Sequence, residues 1–386
     1  MRVLHVTPYF APAFAFGGPP RSILALCQAQ QAAGLNVEVL TTTANGNGSL
    51  PSTPNGTAYD GVPVRYFPLA GPAMFFWAPM LARELSRMSG DADVIHTHGL
   101  FNAPAWQAHR VSQQTAKPLV VSVRGMLESE ARAHHEWRKR AAWTLFDRRV
   151  CADAALLHTT SARETASVQA VMPAARIAEI PNAVAIRSKS ASAADQRGIR
   201  QRLGLRDDEP FVLFLGRLHP IKRLDLLARA FALVAAEHRT VRLAIAGAGD
   251  ARVRTQAEAK LGEARARTVW LGGVTDAERD ALLSEAATLV LCSDSENFGM
   301  SVAEALAFGV PPVVTQTCPW EVLETERTGY WVAQTAEAIA DAIRRVLASA
   351  DERRVMGERG HALAARRFSV STIGARWAEE YARLTR

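Results

Sequence analysis

Phe211-Val212-Leu213-Phe214-Leu215-Gly216-Arg217-Leu218-His219-Pro220-Ile221-Lys222 reads as a strand that ends on a glycine and releases two cations from its carboxyl end. In an open α/β sheet, that end is where ligands bind. A guanidinium fork and a lysine point charge together suit a diphosphate. A surface basic patch is the plainer reading, and the position directly after a strand argues against it.

Working outward, short β-branched runs alternate with amphipathic helical stretches in both directions, the pattern of doubly wound parallel sheets. Strands are expected at 3–7, 37–41, 94–97, 119–123, 155–158 and 177–180, then at 211–215, 241–246, 269–271, 288–291 and 312–315. Ser161-x-x-Glu164 and Thr275-x-x-Glu278 have the form of capping boxes where helices should open. The polar stretch 182–210 reads as the connection between two domains. The expected division is 1–183, with a C-terminal helix 370–386 packing back on it, and 184–369. The 386 residues suit two such domains, since single cores stop growing near ~250–300 residues.

Hydrophobic residues make up 48% and charged residues 22% of the chain, an ordinary soluble composition. No apolar run approaches the roughly 20 residues that span a bilayer, and the start reads as a first strand instead of a secretory signal. Cys27, Cys151, Cys292 and Cys318 lie far apart, which suits a reducing cytoplasm and argues against a disulfide framework or zinc site. The net charge of +7 favours anionic partners.

A second informative segment is Asp294-Ser295-Glu296-Asn297-Phe298-Gly299-Met300-Ser301-Val302-Ala303-Glu304. It follows a buried strand, turns on Gly299 and enters a helix, whose N-terminal amides and dipole would face an anion. The bland alternative makes Ser301-x-x-Glu304 a third capping box and Glu296 a solvated loop acid. In the first half, Gly17-Gly18-Pro19-Pro20 precedes a helix with Ile23, Leu24 and Cys27 on its apolar face, a weaker phosphate-loop signal. His98 stands at the carboxyl end of its strand and is read as substrate-contacting. His96, two residues earlier on the same face, is read as structural. The spacing shows no third ligand for a metal.

Two motif matches fail. Asp91-Ala92-Asp93 precedes its strand, the wrong end of the sheet for a ligand, and reads as a turn. Gly247-Ala248-Gly249 lacks the third glycine of a dinucleotide site, because Arg252 occupies its place. The stretch 132–149 interleaves Arg132, His134, His135, Arg138, Lys139, Arg140, Arg148 and Arg149 with Trp137 and Trp143, near Phe146. Such a run is usually a solvated helix face, and it also suits contact with acidic lipids. Phe75-Phe76-Trp77 is a second candidate contact, or core.

Together these residues resemble glycosyltransferase family 4, retaining enzymes of GT-B architecture, over nearly the whole chain. The resemblance rests on Gly17-Gly18, His98, Gly216-Arg217…Lys222, Glu296 with Glu304, and Ile180-Pro181-Asn182. Val123-Arg124-Gly125-Met126-Leu127-Glu128 and Cys318-Pro319-Trp320-Glu321 look like a branch that builds bacterial surface polysaccharides. The resemblance implies two doubly wound, Rossmann-like domains facing a central cleft, and transfer from a nucleotide-sugar to a saccharide or lipid-linked acceptor. By it, Arg217 and Lys222 hold the donor diphosphate, while Gly17, Gly18, Glu296, Asn297, Phe298, Gly299, Met300 and Ser301 belong to the donor site. Glu304 binds ribose, His98 the sugar, and Arg124, where many relatives carry histidine, faces the acceptor.

The expected catalytic set is His98, Glu296, Arg217 and Lys222, with no metal, no cofactor and no nucleic-acid partner. The expected location is the cytoplasm, peripheral on the inner membrane face. Two departures concern loop geometry: Arg223 and Ala183 stand where the family usually has glycine. A sugar-nucleotide epimerase or phosphorylase of the same architecture, and a non-catalytic basic protein binding membrane or nucleic acid, are the alternatives.

Overall fold

Along β1 (Arg2–Thr7), Val3 enters one hydrophobic core while Leu4 and Val6 enter another on the opposite face. The strand is buried on both sides because side chains alternate with period two. The same holds for β11 (Phe211–Leu215), where Phe211 and Leu213 feed one core and Val212 and Phe214 the other. This computed structural model describes residues 1–71, 75–128, 140–186, 192–206 and 209–386. The chain divides into two units: Met1–Ala183 with Val370–Arg386, and Val184–Ser369.

Unit 1 also contains β2 (Asn36–Thr42), the hairpin β3 (Ala44–Asn45) and β4 (Gly48–Ser49), β5 (Thr57–Tyr59), β6 (Val62–Phe67), β7 (Val94–His98), β8 (Leu119–Ser122), β9 (Leu156–Thr159) and β10 (Ile177–Glu179). Its main sheet runs β10-β9-β8-β7-β1-β2-β6-β5 and is parallel except for the edge pair β5–β6. Chain order reverses between β1 and β7, so the carboxyl ends of those strands form the switch point. Register places His5 opposite His96, and Ser122 between His98 and His158. The C-terminal helix Val370–Leu384 returns to this unit. Ile373, Trp377 and Tyr381, four residues apart, enter the same core as Val3. At Gly374 the helix runs so close to the helix Gly18–Ala32 that a Cβ would sit 2.1 Å from the Ala29 carbonyl oxygen.

Unit 2 has β12 (Arg242–Ala246), β13 (Thr268–Gly272), β14 (Thr288–Leu291), β15 (Pro312–Thr315) and β16 (Tyr330–Val332). Its all-parallel order is β13-β12-β11-β14-β15-β16, with the switch between β11 and β14.

The polar stretch 182–210 is not a simple connection. The unit boundary falls at its start, and it contains the helix Ala193–Leu203, whose Ile199 and Leu203 enter a core of unit 2. Two buried apolar residues among many charges, with Gly198 mid-helix, give almost no periodic signal. Strands β3 to β6 and β16 were absent from the sequence expectation for a related reason: Val62-Pro63-Val64-Arg65 alternates around a proline, and the others are two or three residues long.

Candidate functional site

In unit 2, the loops leaving β11 and β14 carry the residues expected to hold a diphosphate. Arg217 is exposed, and its side chain has no hydrogen bond or ion pair among the described residues. The loop that presents it is braced by its neighbour after β12. Gly216 and Leu218 donate to the carbonyls of Ala246 and Ala248 at 3.0 and 2.9 Å. A Cβ at Gly247 would lie 1.8 Å from the Gly216 carbonyl oxygen, and one at Gly249 2.3 Å from that of Leu218. The two glycines of the failed dinucleotide motif therefore serve backbone approach beneath Arg217.

Lys222 and Glu296 form an ion pair, and Ser293 Oγ donates to the same carboxylate oxygen at 2.7 Å. Arg223 adopts φ +50° and ψ +46°, the left-handed region, which explains why glycine is usual at this position. Its guanidinium is tied to Asp225 at 3.1 Å and Asp294 at 2.9 Å, and these contacts hold its pKa well above the ordinary arginine value. Gln334 fixes Asp294 from β16's side at 3.0 Å. Ala183, the second departure from glycine, is buried and has no positive φ, so its backbone needs no glycine.

The helix Met300–Ala307 starts from Gly299, a left-handed N-cap at φ +83° with no side-chain cap. Ser301 therefore lies inside the first turn and is not the N-cap that the bland reading required. Trp320 is 2% exposed; its indole N–H donates to the Phe298 carbonyl, and its Nε1 would lie 3.1 Å from a Cβ at Gly299. Glycine is favoured at this turn by its left-handed φ and by the tight space beside Trp320 and Leu291. Asn297 and Met300 are partly exposed and Phe298 is buried. Glu304 projects from the helix with Arg279 at 3.9 Å, a cation that sequence reasoning missed.

In unit 1, His98 is 1% exposed and both its ring nitrogens are engaged, one by Arg124 at 3.3 Å and the other by His5 at 2.8 Å. It belongs to a longer polar chain. Arginine can only donate and a carbonyl can only accept, so every proton in that chain is determined. Arg124 donates to His98 Nδ1; His98 Nε2 donates to His5 Nδ1; His5 Nε2 donates to Gln30 Oε1. Gln30 then donates to the Tyr381 hydroxyl, Tyr381 to His96 Nδ1, His96 to Ser122, Ser122 to His158 Nδ1, and His158 Nε2 to the Ile180 carbonyl. All four imidazoles are neutral Nε2–H tautomers. Burial pushes His5 down to about 4 and His158 to about 3, and holds His96 and His98 well below the usual range.

His5 supplies the third imidazole that the sequence spacing did not show, since His5, His96 and His98 have ligand atoms within 4.8 Å of one another. The hydrogen-bond chain accounts for each of these nitrogens without an ion, and the nearby Arg124 charge opposes a dication. The ring of His98 offers no nitrogen to a sugar hydroxyl.

Gly17 is the N-cap of the helix Gly18–Ala32 at φ +87°, with no side-chain cap, and Gly18 is exposed. Pro19 and Pro20 lack N–H groups, so this helix start offers fewer donors than its glycines suggest. Asp91 and Asp93 lie at the amino ends of β1 and β7, where Asp93 accepts from the Arg2 amide at 2.7 Å.

Arg132, His134, His135, Trp137, Arg138 and Lys139 lie outside the described residues. Phe146 stacks on Trp106 at 4.6 Å between centroids and remains 46% exposed. Phe75 and Trp77 are also exposed, whereas Phe76 packs against Tyr9 and Phe16. A groove of about 830 Å³ lies among Trp77, Trp106, Leu145 and Phe146, with Arg83 and Arg110 in its lining. Among the described residues, no helix is long and apolar enough to cross a membrane.

Residues 17–183 match the glycosyl transferase 4-like domain, and residues 195–362 match glycosyl transferases group 1. An uncharacterized glycosyltransferase, MJ1607, of Methanocaldococcus jannaschii is 34% identical over 38% of each chain, so that match spans well under half of either protein. The GDP-mannose:cellobiosyl-diphosphopolyprenol alpha-mannosyltransferase of Komagataeibacter xylinus is 27% identical over 83% of this chain and 77% of its own. The D-inositol 3-phosphate glycosyltransferase of Xylanimonas cellulosilytica is 26% identical over 100% and 96%. Among solved structures, Anabaena Alr3699/HepE in complex with UDP-glucose superposes with a TM-score of 0.75 at 22% identity, covering 99% of this chain and 100% of that one.

Proposed function

On the premise that the chain is a glycosyltransferase of GT-B fold, with a 4-like domain in unit 1 and a group 1 domain in unit 2, we propose that it moves a hexosyl group from a UDP- or GDP-sugar, with retention of configuration, to a saccharide or lipid-linked acceptor in surface-polysaccharide synthesis. The observation that carries this reading is the free guanidinium of Arg217, held at the switch point of unit 2 on a braced loop. The GDP-mannose and diphosphopolyprenol in the name of one similar protein, and the UDP-glucose bound in the structure of another, support the substrate classes.

In this mechanism Arg217, Lys222 and the amides at the start of the helix Met300–Ala307 stabilise charge on the departing nucleoside diphosphate. Lys222 is paired with Glu296 before the donor arrives, so Glu296 keeps the lysine in place and its charge balanced. Glu296 then meets the transferred sugar, and Glu304 the ribose. The acceptor hydroxyl attacks from the face the leaving group departs from, its proton passing to a phosphate oxygen. Two cations fill the role of a divalent ion, and no metal is required. The exposed Phe75, Trp77, Leu145 and Phe146 beside Arg83 and Arg110 suit peripheral attachment to the cytoplasmic membrane face.

A thermal-shift panel of UDP-, GDP- and ADP-sugars identifies the donor, because a ligand of the folded state stabilises by mass action. The reading requires that nucleoside diphosphate then accumulate only when an acceptor is supplied. Equal release without any acceptor would point instead to another GT-B enzyme such as a sugar-nucleotide epimerase.

A further inference from the structure

Arg124 sits at the carboxyl end of unit 1's sheet, just beyond β8, in a left-handed turn with φ +54° followed by Gly125 at +74°. The residue is only partly exposed, and desolvation pulls its guanidinium down to about 10. A desolvated cation normally has an anionic partner. Here the direct partners are neutral: His98 Nδ1 at 3.3 Å and Ser22 Oγ at 2.9 Å. Among the described residues no carboxylate lies within ion-pair distance of it. Glu164, the nearest acid by its electrostatic influence, directs its oxygens to the amides of Gly125 and Thr160 instead. The four histidines of the polar chain are neutral, so none of them compensates the charge either.

A second observation points the same way. Through Ser22, whose hydroxyl donates to the Pro19 carbonyl at 3.0 Å, the guanidinium is linked to the N-terminal end of the helix Gly18–Ala32, which carries no side-chain cap and no acidic residue in its first turn. The helix dipole there favours negative charge, while Pro19 and Pro20 remove two of the amides that would otherwise bind it. The positive potential is present, few amides accompany it, and Arg124 adds a charged donor there.

We propose that the acceptor carries an oxyanion, a carboxylate or a phosphate, which pairs with Arg124 at the start of the helix Gly18–Ala32. The inference rests on the transferase reading and narrows its acceptor to an anionic saccharide or saccharide phosphate. The arginine selects such acceptors over neutral sugars of the same shape, since a neutral sugar leaves the guanidinium uncompensated.

The test uses the full chain with UDP and GDP present at saturating level, so that the cations of unit 2 are occupied. Inorganic phosphate, D-glucuronate and D-glucose are titrated at constant ionic strength into the wild type, Arg124→Met and Arg124→Lys. The expected result is that phosphate or glucuronate binds the wild type, about tenfold or more weaker to Arg124→Met, with Arg124→Lys in between. Phosphate alone would name a phosphorylated acceptor, and glucuronate alone a uronic acid. If Arg124→Met does not fold, phenylglyoxal labelling of the wild type, mapped by mass spectrometry, replaces it: the binding anion slows modification of Arg124 and glucose does not. Anion binding that is absent, or equal in wild type and Arg124→Met, or an unprotected Arg124, overturns the inference. Nucleotide binding is read separately in the same samples, so its failure would strike the reading of unit 2 and not this one.

Discussion

Acidification from pH 7 to pH 5 should destabilise unit 1 more than unit 2. His5, His96, His98 and His158 are neutral when folded, with pKa values pushed below 6.5 by burial, and they protonate freely once unfolded. In that window the unfolded chain binds more protons at these sites, so stability falls as pH falls. Each such group contributes about 1.4 kcal/mol per pH unit. Two buried acids oppose them. Burial raises Asp147 to about 6 and also raises Glu164, so these take up protons more readily when folded. Even with both carboxyls fully protonated when folded, four histidines leave a net uptake of at least about two protons on unfolding, or about 3 kcal/mol lost per pH unit below pH 6. Against a total of about 5–15 kcal/mol for a typical domain, that is a substantial fraction by pH 5. Hydrogen exchange read by mass spectrometry, corrected for the intrinsic pH dependence, separates the two units. Opening free energies in β1, β7 and β8 that stay level from pH 7 to 5, or that fall no faster than those of β11 and β14, would refute the neutral, proton-ordered histidine chain.

Other perturbations address single contacts. Tyr381→Phe leaves Gln30 without an acceptor and His96 Nδ1 without a donor; at about 1–3 kcal/mol for each buried unsatisfied group, urea titration should show unit 1 destabilised by about 2–6 kcal/mol. Trp320→Phe removes the hydrogen bond that pins the Phe298 carbonyl, and donor titrations should show affinity about 5–10-fold weaker, consistent with loss of one hydrogen bond. Exhaustive chelation should leave transfer activity unchanged; activity lost on chelation and restored by magnesium or manganese would contradict the two-cation mechanism.

Much of this architecture was legible in the sequence because strands buried on both faces announce themselves as apolar runs, as at Phe211–Leu215 and Thr288–Leu291. The capping box at Thr275 and the cap at Ser161 were legible for the same reason, being short-range signals. What escaped depends on contacts distant in sequence. His5 and His96 meet only because β1 and β7 are neighbours, and Tyr381 enters their network from the other end of the chain. Gly247 and Gly249 looked like a broken nucleotide motif, and their purpose appears only when the loop carrying Arg217 lies against them. Arg279 beside Glu304 and Trp320 beneath Gly299 gave no local pattern at all. The helix Ala193–Leu203 was missed because charge hides its two buried side chains.

The central claim, that unit 2 holds a donor diphosphate through Arg217 and Lys222, is tested most directly by steady-state kinetics of Arg217→Ala, Lys222→Ala and Arg217→Lys, with circular dichroism to confirm folding. An interaction that strengthens as the glycosidic bond breaks acts on kcat more than on KM. Each alanine variant should therefore lose about 10²–10³ in kcat, by analogy with removal of one oxyanion donor. Arg217→Lys should stay impaired, because a point charge does not replace the bidentate fork. Near-normal kcat in both alanine variants would contradict the assignment.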